Sequence, residues 1–363
     1  MSIISLLGLL LGLGLLVLGA EVLVTGASRL ASALGLSPLV IGLTIVAYGT
    51  SAPELAVSVK SSWAGEAGLA ISNVVGSNIC NVLCILGLSA VITPLLVAQQ
   101  IIRLDVPIMI GVSGLLFLMG LDGSVSRWEG LILVAGAIGY TSFLFMQGEG
   151  EENEAVQDEY SSAYAFLDKL SLPSWLLNIG LVAVGAGVLV TGSNLMVEGA
   201  VAIAQALGVS SVIIGLTIVA FGTSLPELAT SVIASLRNER DIAVGNVVGS
   251  NIFNILAVVG ISSVVSPQGL VIAPSVLNFD LPVMLVVAIG CLPIFFTGNV
   301  ISRWEGMVFL GYYAAYLTYL VLQATEHDAL PVFSQAVIWF GVPLTVITVA
   351  TVLVRSWRHN QQT

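Results

Sequence analysis

The sequence has few charged residues and almost no histidine or cysteine. Only 9% of its 363 residues are Asp, Glu, Lys or Arg, whereas a soluble domain usually contains about 25%. Hydrophobic residues make up 57% of the chain, which indicates a protein that crosses the membrane many times. No stretch is polar and long enough to form a soluble domain of useful size. The bilayer is therefore the expected surrounding of most of the chain.

The scarce residue types exclude several classes of function. The formal net charge of −11 excludes a nucleic-acid partner, because such binding needs clustered cations. The three cysteines, Cys80, Cys84 and Cys291, lie in apolar segments and match neither a disulfide framework nor a metal-ligand spacing. The two histidines, His327 and His359, lie outside the repeated segments described next. No nucleophile–base pair and no cofactor motif is present, which argues against an enzyme.

One stretch of the chain occurs twice, with a constant offset of 173 residues. Residues 42–83 read GLTIVAYGTSAPELAVSVKSSWAGEAGLAISNVVGSNICNVL, and residues 215–256 read GLTIVAFGTSLPELATSVIASLRNERDIAVGNVVGSNIFNIL. Aligned without a gap, 27 of the 42 positions are identical. Internal similarity of this kind indicates two related structural units. Each unit contains one copy, with the repeated helix pairs at 42–94 and 215–267.

Apolar runs of about 20 residues mark the membrane-spanning helices. We predict an all-α polytopic protein with about eleven spans, arranged as two sets of five plus one extra. The first unit, residues 1–147, has predicted helices at 3–25, 38–62, 68–94, 104–121 and 128–147. The second unit, residues 174–326, has predicted helices at 174–200, 210–236, 242–266, 279–297 and 304–324. The remaining segments are an acidic cytoplasmic connector at 148–173 and, within 327–363, an extra helix at 332–354 and a basic cytoplasmic tail.

The odd number of helices per unit predicts that the second unit enters the membrane the other way up. Inverted repeats of this kind build many transporters. With the N-terminus outside, eight of the ten Lys and Arg residues fall on the cytoplasmic side. Only Lys60 and Arg127 fall on the opposite side, which agrees with the positive-inside rule. We therefore predict a multi-pass protein of the cell or inner membrane, with its C-terminus in the cytoplasm.

Two further repeated features predict helix starts. The pentapeptide SRWEG occurs at 126–130 and 302–306, and its Ser and Glu have the spacing of a capping box. Trp128 and Trp304 are suited to the headgroup level. Asp105 and Asp280 are each followed by a hydrophobic residue and a proline. We interpret both as helix-start residues at the membrane interface, with a role in transport as the alternative.

The repeated segments place polar oxygens and a carboxylate inside apolar helices. In both copies Gly-Thr-Ser-x-Pro-Glu interrupts the helix, because a proline lacks the N–H that the carbonyl four residues earlier would accept. Such a carbonyl needs another donor or a cation when it is surrounded by lipid. Thr50 and Glu54 are four residues apart and share a helix face, as do Ser77 and Asn81. Polar groups at membrane depth are costly, which favours a functional site.

The available donors are hydroxyl, amide, carbonyl and carboxylate oxygens, without imidazole or thiolate. This set selects hard cations such as Ca²⁺, Na⁺ or Mg²⁺. We expect the inverted copies to bring Glu54 and Glu227 together near the midplane, where two carboxylates cannot both stay ionised without cations. One divalent ion or several monovalent ions could neutralise them, which is the physical basis of exchange. The competing interpretation is a proline kink with a purely structural role. It would account for one such segment, but the occurrence of two copies, each with a central glutamate, favours a site.

The motifs G-T-S-x-P-E and G-S-N-I-x-N, each present twice after GLTIVA, resemble the α-repeats of the cation/calcium exchanger superfamily, as in prokaryotic-type sodium/calcium exchangers. The resemblance implies antiport of Na⁺ against Ca²⁺ by alternating access, with helices 3–25 and 174–200 sliding as the gate. It further implies that backbone carbonyls of Ala47 and Ala220 contribute to Na⁺ sites. The ion ligands implied by matching positions are Thr50, Ser51, Glu54, Ser77, Asn81, Thr223, Ser224, Glu227, Ser250 and Asn254.

One position departs from the pattern of several exchangers, which carry Asp where this chain has Asn254. The carboxylates of the expected pocket are then only Glu54 and Glu227, whose two charges balance one Ca²⁺. A Ca²⁺/H⁺ antiporter, or one using another monovalent cation, is the main alternative function. A passive cation channel and a non-transporting membrane scaffold are further alternatives. We expect no bound cofactor besides the transported Ca²⁺ and Na⁺, and the expected partners are these cations and the lipid bilayer.

Overall fold

The computed structural model describes residues 3–148, 174–209, 211–214, 217–218, 220–296, 298–341 and 343. Within these residues, eight helices are long and apolar enough to cross a membrane, and one bent pair of helices meets the same criterion when its two parts are taken together. The prediction of an all-helical polytopic membrane protein is therefore confirmed. Apart from Gly148, the predicted connector lies outside the described residues, as does most of the predicted helix 332–354.

The first half of the chain forms six helices and two short strands. The helices are α1 (Ile3–Leu34), α2 (Pro38–Thr50), α3 (Ala52–Trp63), α4 (Ala67–Ile92), α5 (Ile101–Asp122) and α6 (Arg127–Gly148). The strands β1 (Leu95–Leu96) and β2 (Ser124–Val125) lie at the two ends of α5. The predicted helix 38–62 is thus divided into α2 and α3, which meet at an angle of 46°.

The second half repeats this order. Its described helices are α7 (Ser174–Ala206), α8 (Ser211–Ile214), α9 (Ala220–Gly222), α10 (Leu225–Leu236), α11 (Arg240–Val265), α12 (Val276–Phe296), α13 (Arg303–Ala324) and α14 (Leu330–Ala336). The strands β3 (Leu270–Val271) and β4 (Val300–Ile301) lie before and after α12. Helices α3, α4 and α5 of the first half therefore correspond to α10, α11 and α12 of the second.

The two halves are inverted with respect to each other. Strand β1 pairs antiparallel with β4, and β2 pairs antiparallel with β3. Because β1 and β2 lie at opposite ends of a spanning helix, these pairs join the halves on opposite faces of the membrane. The equivalent helices α1 and α7 are antiparallel, since Gly12 approaches Met196 whereas Gly26 approaches Val182. The predicted inversion is confirmed by this packing.

Glycines spaced seven residues apart bring the backbones of α1 and α7 into contact. A Cβ atom added at Gly192 would lie 2.8 Å from the backbone nitrogen of Leu16, and one at Gly199 would lie 2.7 Å from the backbone oxygen of Ser5. Small residues permit this close approach of membrane helices. We call the six residues the glycine ladder: Gly12, Gly19, Gly26, Gly185, Gly192 and Gly199.

The most buried spans are α4 and α11, which carry the second motif of each repeat. Most of each helix is enclosed by protein, in contrast to the lipid-facing helices around them. Both contain a π-helical turn that begins at an asparagine, Asn81–Leu86 in α4 and Asn254–Val259 in α11. Single π turns inside α-helices occur frequently at functional sites. The sequence did not predict these turns.

The two SRWEG segments begin helices, as predicted. At the start of α6, the backbone N–H of Ser126 donates to Glu129 Oε2 at 2.7 Å, and the N–H of Glu129 donates to Ser126 Oγ at 3.3 Å. Ser302 and Glu305 form the same capping box at the start of α13. Trp128 is largely exposed beside the first of these starts. The capping prediction is confirmed at both positions.

The interpretation of Asp105 as an interfacial helix-start residue is wrong. Helix α5 begins four residues earlier, and Asp105 is completely buried. The Tyr140 hydroxyl donates to its Oδ1 at 2.9 Å. Asp280 accepts from the Tyr316 hydroxyl at 2.8 Å in the second half. Buried polar groups require such partners, and each tyrosine lies on the next helix of the same half, Tyr140 on α6 and Tyr316 on α13.

Candidate cation-binding site

Each half provides one glutamate in the first turn of a helix that begins inside the protein. The chain bends at Ser51 and at Ser224, which have almost the same backbone angles, φ −82° and ψ 9° for Ser51 and φ −87° and ψ 5° for Ser224. A proline follows each serine in the first turn of α3 and α10. Glu54 and Glu227 come next and lie close to the helix N-terminus, which stabilises a negative charge. Discontinuous helices of this kind form ion sites in transporters.

The two glutamates are hydrogen-bonded across the repeats in a reciprocal way. Ser51 Oγ donates to Glu227 Oε1 at 2.9 Å, and Ser224 Oγ donates to Glu54 Oε1 at 3.3 Å. Ser77 Oγ donates to the same oxygen of Glu54 at 3.4 Å. All five side chains are buried, and the two carboxylates repel each other electrostatically. Each half therefore holds the carboxylate of the other half.

Two asparagines support the glutamate-bearing segments from the adjacent helices. Asn73 Nδ2 donates to the backbone oxygen of Glu54 at 3.3 Å, and its Oδ1 accepts from Thr223 Oγ1 at 3.3 Å. In the other half, Asn246 Nδ2 donates to the backbone oxygen of Glu227 at 3.4 Å. Asn246 Oδ1 accepts from Thr50 Oγ1 at 3.1 Å. The threonines of one repeat are thus fixed by asparagines of the other.

Four more amides form a cluster between α4 and α11. Asn78 Nδ2 donates to the backbone oxygen of Asn251 at 3.1 Å, and Asn251 Nδ2 donates to the backbone oxygen of Asn78 at 3.3 Å. Asn81 Nδ2 donates to Asn251 Oδ1 at 2.9 Å, and Asn254 Nδ2 donates to Asn78 Oδ1 at 3.1 Å. We call these four residues the asparagine cluster.

Several buried oxygens have no hydrogen-bond partner among the described residues. Those in the two motifs are Glu54 Oε2, Asn81 Oδ1, Glu227 Oε2, Ser250 Oγ and Asn254 Oδ1, and four others lie outside the motifs, on Ser89, Asp105, Thr230 and Ser262. A buried oxygen without a partner is costly, and a hard cation supplies what such oxygens lack. Five of them in residues of the two motifs fit Na⁺ or Ca²⁺. Within the described part of the chain, no group of three or more His, Cys, Asp or Glu residues is arranged to hold a metal ion.

The structure brings the predicted polar residues together. Glu54 and Glu227, Ser51 and Ser224, and Thr50 and Thr223 all take part in bonds between the repeats. Ser77, Asn81, Ser250 and Asn254 lie buried on α4 and α11. The backbone oxygen of Ala47 accepts from Thr50 Oγ1 at 3.3 Å and from the Ser51 N–H at 3.0 Å. Ala220 begins α9.

Four asparagines at this site were not predicted from the sequence, namely Asn73, Asn78, Asn246 and Asn251. One signal could have found the first of them, because Asn73, Ser77 and Asn81 recur every four residues on one helix face. The same spacing recurs in the second copy. Asn78 lies outside this spacing, and its role depends on contacts with the other repeat.

A sequence profile described as sodium/calcium exchanger protein matches residues 4–146 and 177–322. The chain belongs to this family. It is 35% identical over 349 residues to the sodium/calcium exchanger MaX1 of Methanosarcina acetivorans, an alignment that covers 88% of the chain and 99% of that protein. It is 39% identical over 310 residues to the putative antiporter CaxA of Alkalimonas amylolytica, covering 84% of the chain and 95% of the relative.

The fold of this exchanger also matches solved structures. The sodium–calcium exchanger NCX_Mj, soaked with 10 mM Na⁺ and 10 mM Sr²⁺, superposes with a TM-score of 0.75 at 32% identity. The superposition covers 88% of the chain and 99% of that structure. A further relative, 36% identical over 282 residues, is the inner membrane protein YrbG of Escherichia coli, with 77% of the chain and 85% of the relative covered. The protein is thus a multi-pass membrane antiporter of the cation exchanger type.

Proposed function

We propose that this chain exchanges Na⁺ for Ca²⁺ across the membrane by alternating access to the site around Glu54 and Glu227. The observation that carries the proposal is the pair of buried glutamates held by serines of opposite repeats. Its ligands are the residues implied by the resemblance: Thr50, Ser51, Glu54, Ser77, Asn81, Thr223, Ser224, Glu227, Ser250, Asn254 and the carbonyls of Ala47 and Ala220. Relatives named as sodium/calcium exchangers support the choice of ions.

The charge of the site explains how ions of different valence compete for it. Two carboxylates buried in protein must be neutralised, since an uncompensated charge in a low-dielectric interior costs several kcal/mol. One Ca²⁺ or two or more Na⁺ ions meet this need with the same oxygens. Entry of one load then requires departure of the other, which couples the two fluxes.

The proposed gate is the pair of long helices α1 and α7. The glycine ladder packs their backbones directly together, so the pair moves as one body relative to the remaining helices. Movement toward one membrane face exposes the site there and closes it from the opposite face. The distribution of Lys and Arg supports an orientation with the N-terminus outside and the C-terminus in the cytoplasm.

The proposal is tested by Ca²⁺ flux into proteoliposomes that contain the purified full chain. Gradients of Na⁺, K⁺ and pH are imposed separately, and ⁴⁵Ca²⁺ uptake is measured. We expect an outward-directed Na⁺ gradient to drive Ca²⁺ uptake against its own gradient. Uptake that follows only the pH gradient would replace the proposal with Ca²⁺/H⁺ antiport. Flux that never runs uphill would indicate a passive channel.

An ion pair connects the proposed gate helix α1 to the end of α10. Arg237, which follows α10, forms an ion pair with Glu21 on α1 and donates to Thr25 Oγ1 at 2.7 Å. The equivalent position in the first half is Ala64, and the residues equivalent to Glu21 and Thr25 are Asn194 and Glu198. The inverted arrangement cannot form the same pair. The bond therefore favours one of the two positions of the gate.

We expect Arg237→Ala to shift the balance between inward- and outward-facing states by a factor of about 1.4 to 5. A partly exposed ion pair contributes about 0.2–1 kcal/mol, and that energy applies to only one state. The measurement is the ratio of half-saturating Ca²⁺ concentrations on the two sides of oriented proteoliposomes. Arg303→Ala is the matched control, because Arg303 Nη2 donates to the backbone oxygen of Ile92 and contacts neither gate helix through that bond. An unchanged ratio in Arg237→Ala would contradict the asymmetry.

A further inference from the structure

The asparagine cluster contains two residues without an assigned role. Asn81 and Asn254 are proposed ligands, and each has an amide oxygen without a partner among the described residues. Asn78 and Asn251 are buried beside them, yet every amide group of these two residues is used in bonds between the repeats. The amide oxygens of Asn78 and Asn251 thus each accept a hydrogen bond from a proposed ligand of the other repeat.

The orientation of an amide side chain is determined by its partners, because its NH₂ and oxygen ends have nearly the same shape. Only the NH₂ end of Asn251 can bond the backbone oxygen of Asn78, and this places Asn251 Oδ1 on the other side. That oxygen accepts from Asn81 Nδ2 at 2.9 Å. A reversed Asn81 would place its own oxygen against it. A backbone carbonyl, which cannot reverse, thus fixes both amides.

The second half of the cluster follows the same sequence of bonds. The backbone oxygen of Asn251 accepts from Asn78 Nδ2, and Asn78 Oδ1 accepts from Asn254 Nδ2. In both cases the result is a ligand residue whose amide oxygen is left for another partner. The π turns begin at these same two ligands. The turn sets the position of the side chain, and the asparagine opposite sets which end of it is presented.

We propose that Asn78 and Asn251 are positioning residues that make Asn254 and Asn81 present oxygen, and not NH₂, to the transported cation. The inference rests on the proposed function, since it concerns the ligands of that site. An NH₂ group facing Ca²⁺ or Na⁺ would replace an attractive dipole with a repulsive one. Without the positioning residue, the ligand amide would divide its time between the two orientations.

A double-mutant cycle separates this role from simple packing. Asn251→Leu removes the oxygen that orients Asn81, and we expect half-saturating Ca²⁺ to rise about tenfold, the equivalent of about 1.4 kcal/mol. In the Asn81→Asp background both outer atoms of residue 81 are oxygens, so orientation no longer matters. There we expect Asn251→Leu to change half-saturating Ca²⁺ less than about threefold. The probe is ⁴⁵Ca²⁺ binding to the purified full chain.

Equal losses in the two backgrounds would overturn the positioning role, because a packing defect is indifferent to the chemistry of residue 81. The equivalent cycle, Asn78→Leu with Asn254→Asp, gives an independent result in the other half. Folded, monodisperse Asp variants that bind no Ca²⁺ in either cycle would also contradict the inference, since a carboxylate supplies the required oxygen.

Met109→Leu serves as a control. Met109 Sδ accepts from Asn251 Nδ2 at 3.6 Å but leaves the bond to Asn81 intact, so we expect less than a twofold change. A larger change would show that any disturbance near Asn251 weakens binding, and it would count against the inference. Failure of the wild-type chain to take up Ca²⁺ would instead contradict the proposed function itself.

Discussion

Glu54→Gln and Glu227→Gln are each expected to reduce Na⁺-driven Ca²⁺ uptake at least about 100-fold. Glutamine preserves the size of the side chain and removes one of two buried charges. Removing one partner from a buried charged group costs about 3–5 kcal/mol, and about 1.4 kcal/mol corresponds to a factor of ten. Because each carboxylate is held by a serine of the other half, we expect the two losses to be similar.

The control for this experiment is Glu66→Gln. Glu66 is also identical in both copies, as Glu66 and Glu239, but its side chain is exposed in the turn between α3 and α4. We expect its uptake to stay within about twofold of wild type. Substantial uptake by either site variant, or a loss confined to one of them, would be incompatible with a shared pocket. Size-exclusion chromatography of each variant separates loss of transport from loss of folding.

The second large effect concerns the glycine ladder, where we expect Gly185→Ala together with Gly192→Ala to destabilise the protein by about 2–6 kcal/mol. A Cβ atom at Gly185 would lie 2.6 Å from the backbone nitrogen of Leu23. One at Gly192 would lie 2.9 Å from the backbone oxygen of Gly12. Helix backbone atoms cannot relieve such a clash by a change of rotamer, and overpacking of this kind costs about 1–3 kcal/mol per site. Thermal unfolding in detergent is the measurement.

Gly187→Ala provides a control of opposite sign. Gly187 lies on the same helix, two residues from Gly185, and a Cβ there would meet no other atom within 4 Å. Alanine is favoured over glycine in a helix by about 0.5–1 kcal/mol, so we expect a slight stabilisation. If the ladder variant and Gly187→Ala changed the unfolding temperature in the same direction, close helix contact would not be the reason for the glycines.

The spans of this protein could be predicted from apolar runs, but their ends could not. The first helix was predicted at 3–25 and continues to Leu34, and the helix predicted at 174–200 continues to Ala206. Hydrophobicity marks only the part of a helix that lies in lipid, whereas α1 and α7 extend beyond that thickness. At 32 residues, α1 is about 48 Å long, which exceeds a hydrocarbon core of about 30 Å.

The composition of the site was predictable because both copies contain the same polar and charged residues within apolar helices, where their burial is unfavourable. The position of the helix break was also indicated, since Pro53 and Pro226 predicted an interruption close to where α2 gives way to α3. The supporting residues were not predicted, because their partners lie in the other repeat. The sequence around Asn78 gives no indication of its role, because its hydrogen-bond partners lie on α11. The glycine ladder was not predicted either, because a seven-residue spacing of glycines indicates a helix contact only when the opposite helix is known.

The bonds that join the two halves around the glutamates and in the asparagine cluster come in mirrored pairs, with one member of each pair found 173 residues after the other. A chain that ended after its fifth span would therefore carry a surface complementary to itself. Two such short chains, threaded into a bilayer in opposite directions, would meet with serine against glutamate and asparagine against asparagine. When both halves belong to one polypeptide, their sequences can differ from each other. The halves differ at some of these contacts. Tyr48 contacts Phe253, whereas the equivalent residues of the opposite halves are Phe221 and Cys80. Arg237 likewise has Ala64 as its equivalent.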